Sequence, residues 1–407
     1  MKNRMGSVMR AVLLGTALVA GVGEAVAAEA LQGQRAALSA RAWESSRSRI
    51  SLGDVHGMAV DPEGGVWTWG NNAMGSLGDG TNVNRFVPGR VPGLEGMSSV
   101  MASLWHSLAL REDGTVWGWG GNSLGQLGDG TTEHRLSPVQ AVGLSNVVSI
   151  ATGSEHSLAL REDGTVWGWG NNGWMQIGHL RYYDWLLAAP VQVRGITDVV
   201  AISAGSLHSV MLRKDGTVWT QGDNSHGQLG DPHAYFPEEP VRVVGLTDVV
   251  AISSGDFRTL ALRADGTVWG WGNGQPVPVQ VAGLTDVVSI SASDSHALAL
   301  RADGTLWSWG DNISGQLGDG TTLPRDTPAP VPGLTAVAAI ETSSSGSMAL
   351  RQDGSLWAWG QNMRGVLGDG TEENRLTPTR VLLPYSFAGL SSGEHRASEL
   401  QRAPVSP

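Results

Sequence analysis

The stretch REDGTVWGWG stands at Arg111–Gly120 and again, letter for letter, at Arg161–Gly170. Variants of its last five residues recur along the chain: VWTWG at Trp67/Trp69, VWTQG at Trp219, VWGWG at Trp269/Trp271, LWSWG at Trp307/Trp309 and LWAWG at Trp357/Trp359. The leading tryptophans of the seven copies are 50, 50, 52, 50, 38 and 50 residues apart. A period of this length marks a propeller or a solenoid, because one such unit cannot bury both its faces alone.

Each unit keeps one order, seen in VVSIATGSEHSLALREDGTVWGWG: an apolar run, a Gly/Ser break, HSLAL, the turn REDGT and VWGWG. Strict alternation puts Leu158 and Leu160 on one face of a strand and Trp167 and Trp169 on one face of the next. Asp163-Gly164 between them is a hairpin turn, since glycine accepts a positive φ freely. A polar loop and a short Pro-Val strand complete a four-stranded antiparallel sheet. Packing such sheets radially covers both faces and leaves only short edges. The expected fold is all-β, a seven-bladed β-propeller of four-stranded antiparallel blades. An open β-solenoid fits less well, because 50-residue units with hairpin turns are too long and too antiparallel for its coils.

The propeller is expected over residues 50–385. Residues 386–400 contain FAGLSSGEHRASEL, half of an eighth repeat that competes with Ile50–Val60 for the ring-closing position, and 401–407 form a tail. At the other end, Lys2, Arg4 and Arg10 precede the apolar run Ala11–Val22 and the small residues Ala27-Ala28. That pattern reads as a signal peptide over 1–28, followed by a leader over 29–49. An extracytoplasmic protein, periplasmic or secreted, is expected, with no membrane span. The absence of cysteine excludes disulfides, thiolate metal sites and thiol catalysis. A net charge of −11 with no basic cluster argues against nucleic acid.

GSEHSLALREDGTVWGWGNN and GQLGDGT resemble the repeats of the regulator of chromosome condensation family, the tubulin-suppressor-like propellers and the propeller-type β-lactamase inhibitory protein. The resemblance runs from about Ile50 to Val381. It implies a propeller that works by binding proteins, with guanine-nucleotide exchange on a small GTPase as one family activity and enzyme inhibition as another.

Residues repeated in every blade serve the fold. Thirteen of the 17 tryptophans lie in the motif and are expected to be core. His56, His106, His156, His208 and His296 read as structural hydrogen-bonders, because a histidine and the residue after it point to opposite faces of a strand. LGDGT, as at Leu127, reads as a glycine-bearing turn rather than a calcium loop. No phosphate-binding loop, nucleophile elbow or zinc-protease helix is present. The chain is therefore expected to be a non-enzymatic scaffold with no cofactor and no metal.

Function should lie where repeats disagree. Unit three replaces its polar loop with NNGWMQIGHLRYYDWLLAAPVQV, gaining Trp174, Tyr182, Tyr183, Asp184 and Trp185. Unit four gains Tyr235 and Phe236 beside Glu238 and Glu239, and unit five is twelve residues shorter at this point. Aromatics grouped in polar loops form a protein-binding hot spot when exposed, or a local core when folded inward. The reading is an exported, monomeric scaffold that binds a protein partner through the loops of blades three and four. The alternatives are an exchange-factor-like regulator of a small GTPase, and an extracellular glycan-binding lectin or inhibitor of a secreted enzyme.

Overall fold

The computed structural model describes residues 48–178, 185–234 and 237–385. Its strands form seven four-stranded antiparallel sheets, each a simple meander, arranged as a seven-bladed β-propeller. Blade one contains β1 (Ile50–Leu52), β2 (His56–Val60), β3 (Val66–Gly70) and β4 (Arg85–Arg90). The first strands of successive blades lie side by side around the axis, and blade one meets blade seven in the same way.

The turn REDGT recurs for two reasons. In blade three Gly164 has φ +78°, and a side chain there would lie 3.3 Å from the backbone of Asp198 in blade four. Asp163 Oδ1 accepts the Thr165 amide at 3.0 Å and its hydroxyl at 2.6 Å, which locks the turn. The glycine carbonyl then receives the Val199 amide of the next blade at 3.2 Å. The ten-residue stretch thus builds a hairpin and a joint at once.

The two tryptophans of each motif part ways. Trp69, Trp119, Trp169, Trp271, Trp309 and Trp359 are buried between blades, as expected of core. Their motif partners are only half-buried. They lie near the hairpin end of the strand, where in four of the six an arginine covers the ring: Arg111 stands 4.5 Å from the centroid of Trp117 and Arg301 5.3 Å from that of Trp307. Alternation correctly gives both rings one face, but position along the strand decides how deeply each is buried.

The histidines join blades. His56 Nε2 lies 2.7 Å from Ser107 Oγ in the next blade, and His106–Ser157, His156–Ser209, His208–Thr259 and His296–Ser347 repeat the contact at 2.8–3.0 Å. Ser107 Oγ donates its proton to the Ser76 carbonyl at 2.8 Å, so the imidazole must be the donor in the pair. That polarity is the reverse of a base activating a hydroxyl. Burial holds these five histidines neutral, with pKa values pushed down to about 3 or 4.

In the LGDGT loop of blade two, Asp129 accepts from Thr131 and Asn122 and pairs with Arg135 at 2.8 Å. Equivalent clasps recur in blades one, six and seven. The outer strands carry Pro88, Pro138, Pro190, Pro276, Pro328 and Pro378, which deny a ladder donor to an exposed edge. Strand β1 holds the closing position in blade one, pairing Ser51 with Met58, while residues 386–400 lie outside the described residues. Across this seam the Ser48 hydroxyl lies 2.7 Å from Glu341 Oε1, Ser344 N donates to Asp54 Oδ1 at 2.8 Å, and Trp69 Nε1 to the Val366 carbonyl at 2.9 Å.

Candidate partner-binding face

In every blade the turn from first to second strand and the long loop from third to fourth strand emerge at the same end. His56 at the start of β2 pairs with Gly70 at the end of β3, which fixes this. One face of the disc therefore carries all the long loops around the axis, and its centre is a shallow mouth lined by turns from all seven blades.

The mouth has a volume of about 100 Å³. That admits a few waters or the end of one side chain, not a drug-sized ligand. Its charge comes from Asp54, Asp256 and Asp294 on blades one, five and six. Burial and the neighbouring carboxylates of Asp54 and Asp294 push Asp256 up to about 6. Asp54 is tied to the Ser344 amide, whereas Asp294 Oδ1 has no hydrogen-bond partner. Arg258 stands where five other blades have histidine and blade seven has Gly346; burial lowers its pKa, and the nearby Asp294 opposes that shift. Its guanidinium lies 5.9 Å from the centroid of Trp309. The rim is thus rich in acceptors and suits a group that only donates, an ammonium or a guanidinium. Among the described residues no three metal-ligating side chains stand close enough to hold an ion.

Reading loops for aromatics missed this site. The signal was present: GDVH, GDFR and SDSH each put aspartate two residues before the strand's first residue, where the other turns have Leu104, Ser154, Ser206 and Ser344.

Of the aromatic loop residues, Trp174 and Trp185 are exposed, at 39% and 57%. The Asn172 amide donates to the Trp185 carbonyl at 2.7 Å, so both rings stand at the neck of the blade-three loop, on the face of the mouth. Tyr182, Tyr183, Asp184, Tyr235 and Phe236 lie outside the described residues. Blade five turns through Asn273-Gly274, both at positive φ, and Gly274 N donates to the His226 carbonyl of blade four at 2.8 Å. Phe257 packs on the His226 ring with centroids 4.4 Å apart, so the shortened loop is bridged by its neighbour.

Comparison with known proteins gives a consistent picture. A family model described as the RCC1-like domain matches residues 19–277, and regulator of chromosome condensation (RCC1) repeats match 287–316, 303–350 and 353–395. The human E3 ubiquitin-protein ligase HERC2 is 54% identical over 44 residues, as is its mouse counterpart. That match spans 10% of this chain and 1% of the ligase. Human WBSCR16 superimposes with a TM-score of 0.72 at 26% identity, covering 79% of this chain and 94% of that one. Yeast RCC1 (Prp20), in its structure bound to Kap60, gives 0.72 at 23% identity, covering 84% and 87%. A structure of Prp20p from Saccharomyces cerevisiae, described with its binding properties to Gsp1p and histones, gives 0.70 at 24%, covering 80% and 87%. Repeat, blade and ring agree: the chain belongs to the RCC1-like family of β-propellers.

Proposed function

We propose that this chain is a protein-docking propeller with no covalent chemistry of its own, and that it holds its partner on the face carrying the axial mouth. The observation that carries the reading is the convergence of Asp54, Asp256 and Asp294 from three separate blades at the centre of that face. A basic side chain of a partner would meet three carboxylates there. An exchange-factor-like role on a small GTPase is the favoured form of this activity. It is supported by membership of the RCC1-like family and by Prp20p, whose structure is described together with binding to Gsp1p and histones.

A second reading rests on a different observation, the exposure of Trp174 and Trp185. In it the chain is an exported scaffold gripping its partner by the loops of blades three and four. One experiment separates the two. The purified chain, a variant with Asp54, Asp256 and Asp294 changed to Asn, and a variant with Trp174 and Trp185 changed to Ser are used to capture partners from the source cells. Captured GTPases are then assayed for nucleotide release. Loss of the partner with the Asn variant alone, together with accelerated release by the unaltered chain, supports the first reading. Loss with the Ser variant alone, from an envelope or secreted fraction, favours the second.

A further inference from the structure

Five of the seven joints between blades share one hydrogen bond. Trp69, Trp119, Trp169, Trp271 and Trp359 donate their indole Nε1–H to a loop carbonyl of the preceding blade, at 2.8–2.9 Å. The ring rests on the glycine two residues beyond that carbonyl, as Trp169 does on Gly128. At the joint between blades five and six, Trp309 is kept but lies beside Arg258 instead.

The joint between blades three and four is different. Gln221 occupies the tryptophan position, paired with Ser209 as Trp169 is paired with Ser157. Its Nε2 donates to the Glu238 carbonyl of its own blade at 3.1 Å, while its Oε1 has no partner. Facing it in blade three, Gln176 accepts the Trp174 amide on Oε1 at 3.0 Å, and its Nε2 has no partner. Both residues are fully buried. Neither amide gains by flipping, since each is oriented by the bond its other end makes. One blade thus offers a donor and the next an acceptor, both shut off from solvent and not hydrogen-bonded to each other.

A buried amide group left unpaired loses its hydration and gains nothing in return, so a partner for both is strongly favoured. The glutamine side chain is smaller than an indole, and a water needs only about 30 Å³ and two to four polar partners. The Gln176 carbonyl supplies a third. Its counterparts receive both a hydroxyl and an indole proton, as Gln126 does from Ser157 and Trp169, whereas it receives only the Ser209 hydroxyl at 2.7 Å.

We propose that an internal water joins blades three and four, accepting from Gln176 Nε2 and donating to Gln221 Oε1 and to the Gln176 carbonyl, in place of the indole bond used at five other joints. The two blades whose loops carry the added aromatics are then joined through a water rather than through a ring.

A high-resolution crystal structure of the full chain tests this directly. A single water within hydrogen-bond distance of both amide atoms is expected. A direct Gln176–Gln221 bond, or a side chain of the protein in that position, overturns the proposal. Magnetic relaxation dispersion of water ¹⁷O gives a second readout: Gln221→Trp should remove one long-lived internal water and raise the melting temperature by about 1–2 °C, a small shift because a domain of this size has a large unfolding entropy. A folded Gln221→Trp variant with the same number of internal waters as the unaltered chain would also overturn it.

Discussion

Glu341 in blade seven sets up a test of the closing joint. Its carboxyl meets Ser48 across the seam, and the Ser48 hydroxyl also lies against the Ile50 carbonyl. One hydroxyl proton cannot serve two acceptors, but a protonated Glu341 donates its own proton to Ser48 and both contacts are satisfied. Burial favours the same state, pushing Glu341 up to about 7 from an ordinary 4.5, with the Ser48 hydrogen bond opposing only in part. Because the folded chain holds this proton more tightly than the unfolded chain, its contribution is fully present below pH 4.5 and is lost as pH rises towards 7. At 1.36 kcal/mol per pH unit the loss reaches up to about 3 kcal/mol. Glu341→Gln keeps a neutral donor facing Ser48 at every pH. Urea unfolding of both proteins from pH 5 to 8 should show curves that lie together at the acid end and diverge upward, the variant becoming more stable by up to about 3 kcal/mol near pH 8. Parallel curves across that range would refute the reasoning.

The five buried histidines act in the opposite sense. With folded pKa values of about 3 to 4 against 6.5 when unfolded, they stabilise the ring above pH 6.5, and that stability is lost as pH falls towards 4. Unfolding near pH 5 should therefore take up several protons, and His156→Asn should reduce the uptake measured by buffer-dependent calorimetry by about one; an unchanged uptake contradicts the assignment. Gly128 has φ +71°, and a Cβ there would lie 2.9 Å from Trp169 Nε1, so Gly128→Ala should cost about 2 kcal/mol or more in a denaturant melt. Gly130→Ala, at φ +85° with nothing within 4 Å, should cost only about 1 kcal/mol, and equal losses would mean that packing against the indole is irrelevant. At the mouth, Asp256 gains its charge as pH rises through about 6, so capture of a basic partner should strengthen over that interval and Asp256→Asn should flatten the dependence.

The parts of this fold that were legible in the sequence are those with local causes. Alternation in HSLAL and VWGWG, the Asp-Gly turn and the 50-residue period dictate strands, hairpins and blades with little help from distant contacts. The burial of Trp167 was less legible than that of Trp169, because alternation reports a face and says nothing about distance from the joint between blades. The acidic mouth was hidden for a different reason. Asp54 and Asp294 stand 240 positions apart in the chain, and only closing the ring brings them to one rim. The water-linked joint was half visible, since VWTQG breaks the repeat at Gln221, but its partner Gln176 is recognisable only across the interface.

Every blade is made from one unbroken stretch of chain, blade one included. The bond that closes the circle, Trp69 to the Val366 carbonyl, is therefore of the same kind as the bond between blades two and three, although its residues are 297 positions apart rather than 43. Joints are equal in chemistry and unequal only in the loop that must be closed to make them. That difference is kinetic: the seam between blades seven and one is the last that a growing chain can form, and until it forms one face of each end blade is left uncovered. A cut between two blades would only move this seam elsewhere, so the ring has no topologically required beginning, and gene-level rearrangement can start it at any blade without redesigning an interface.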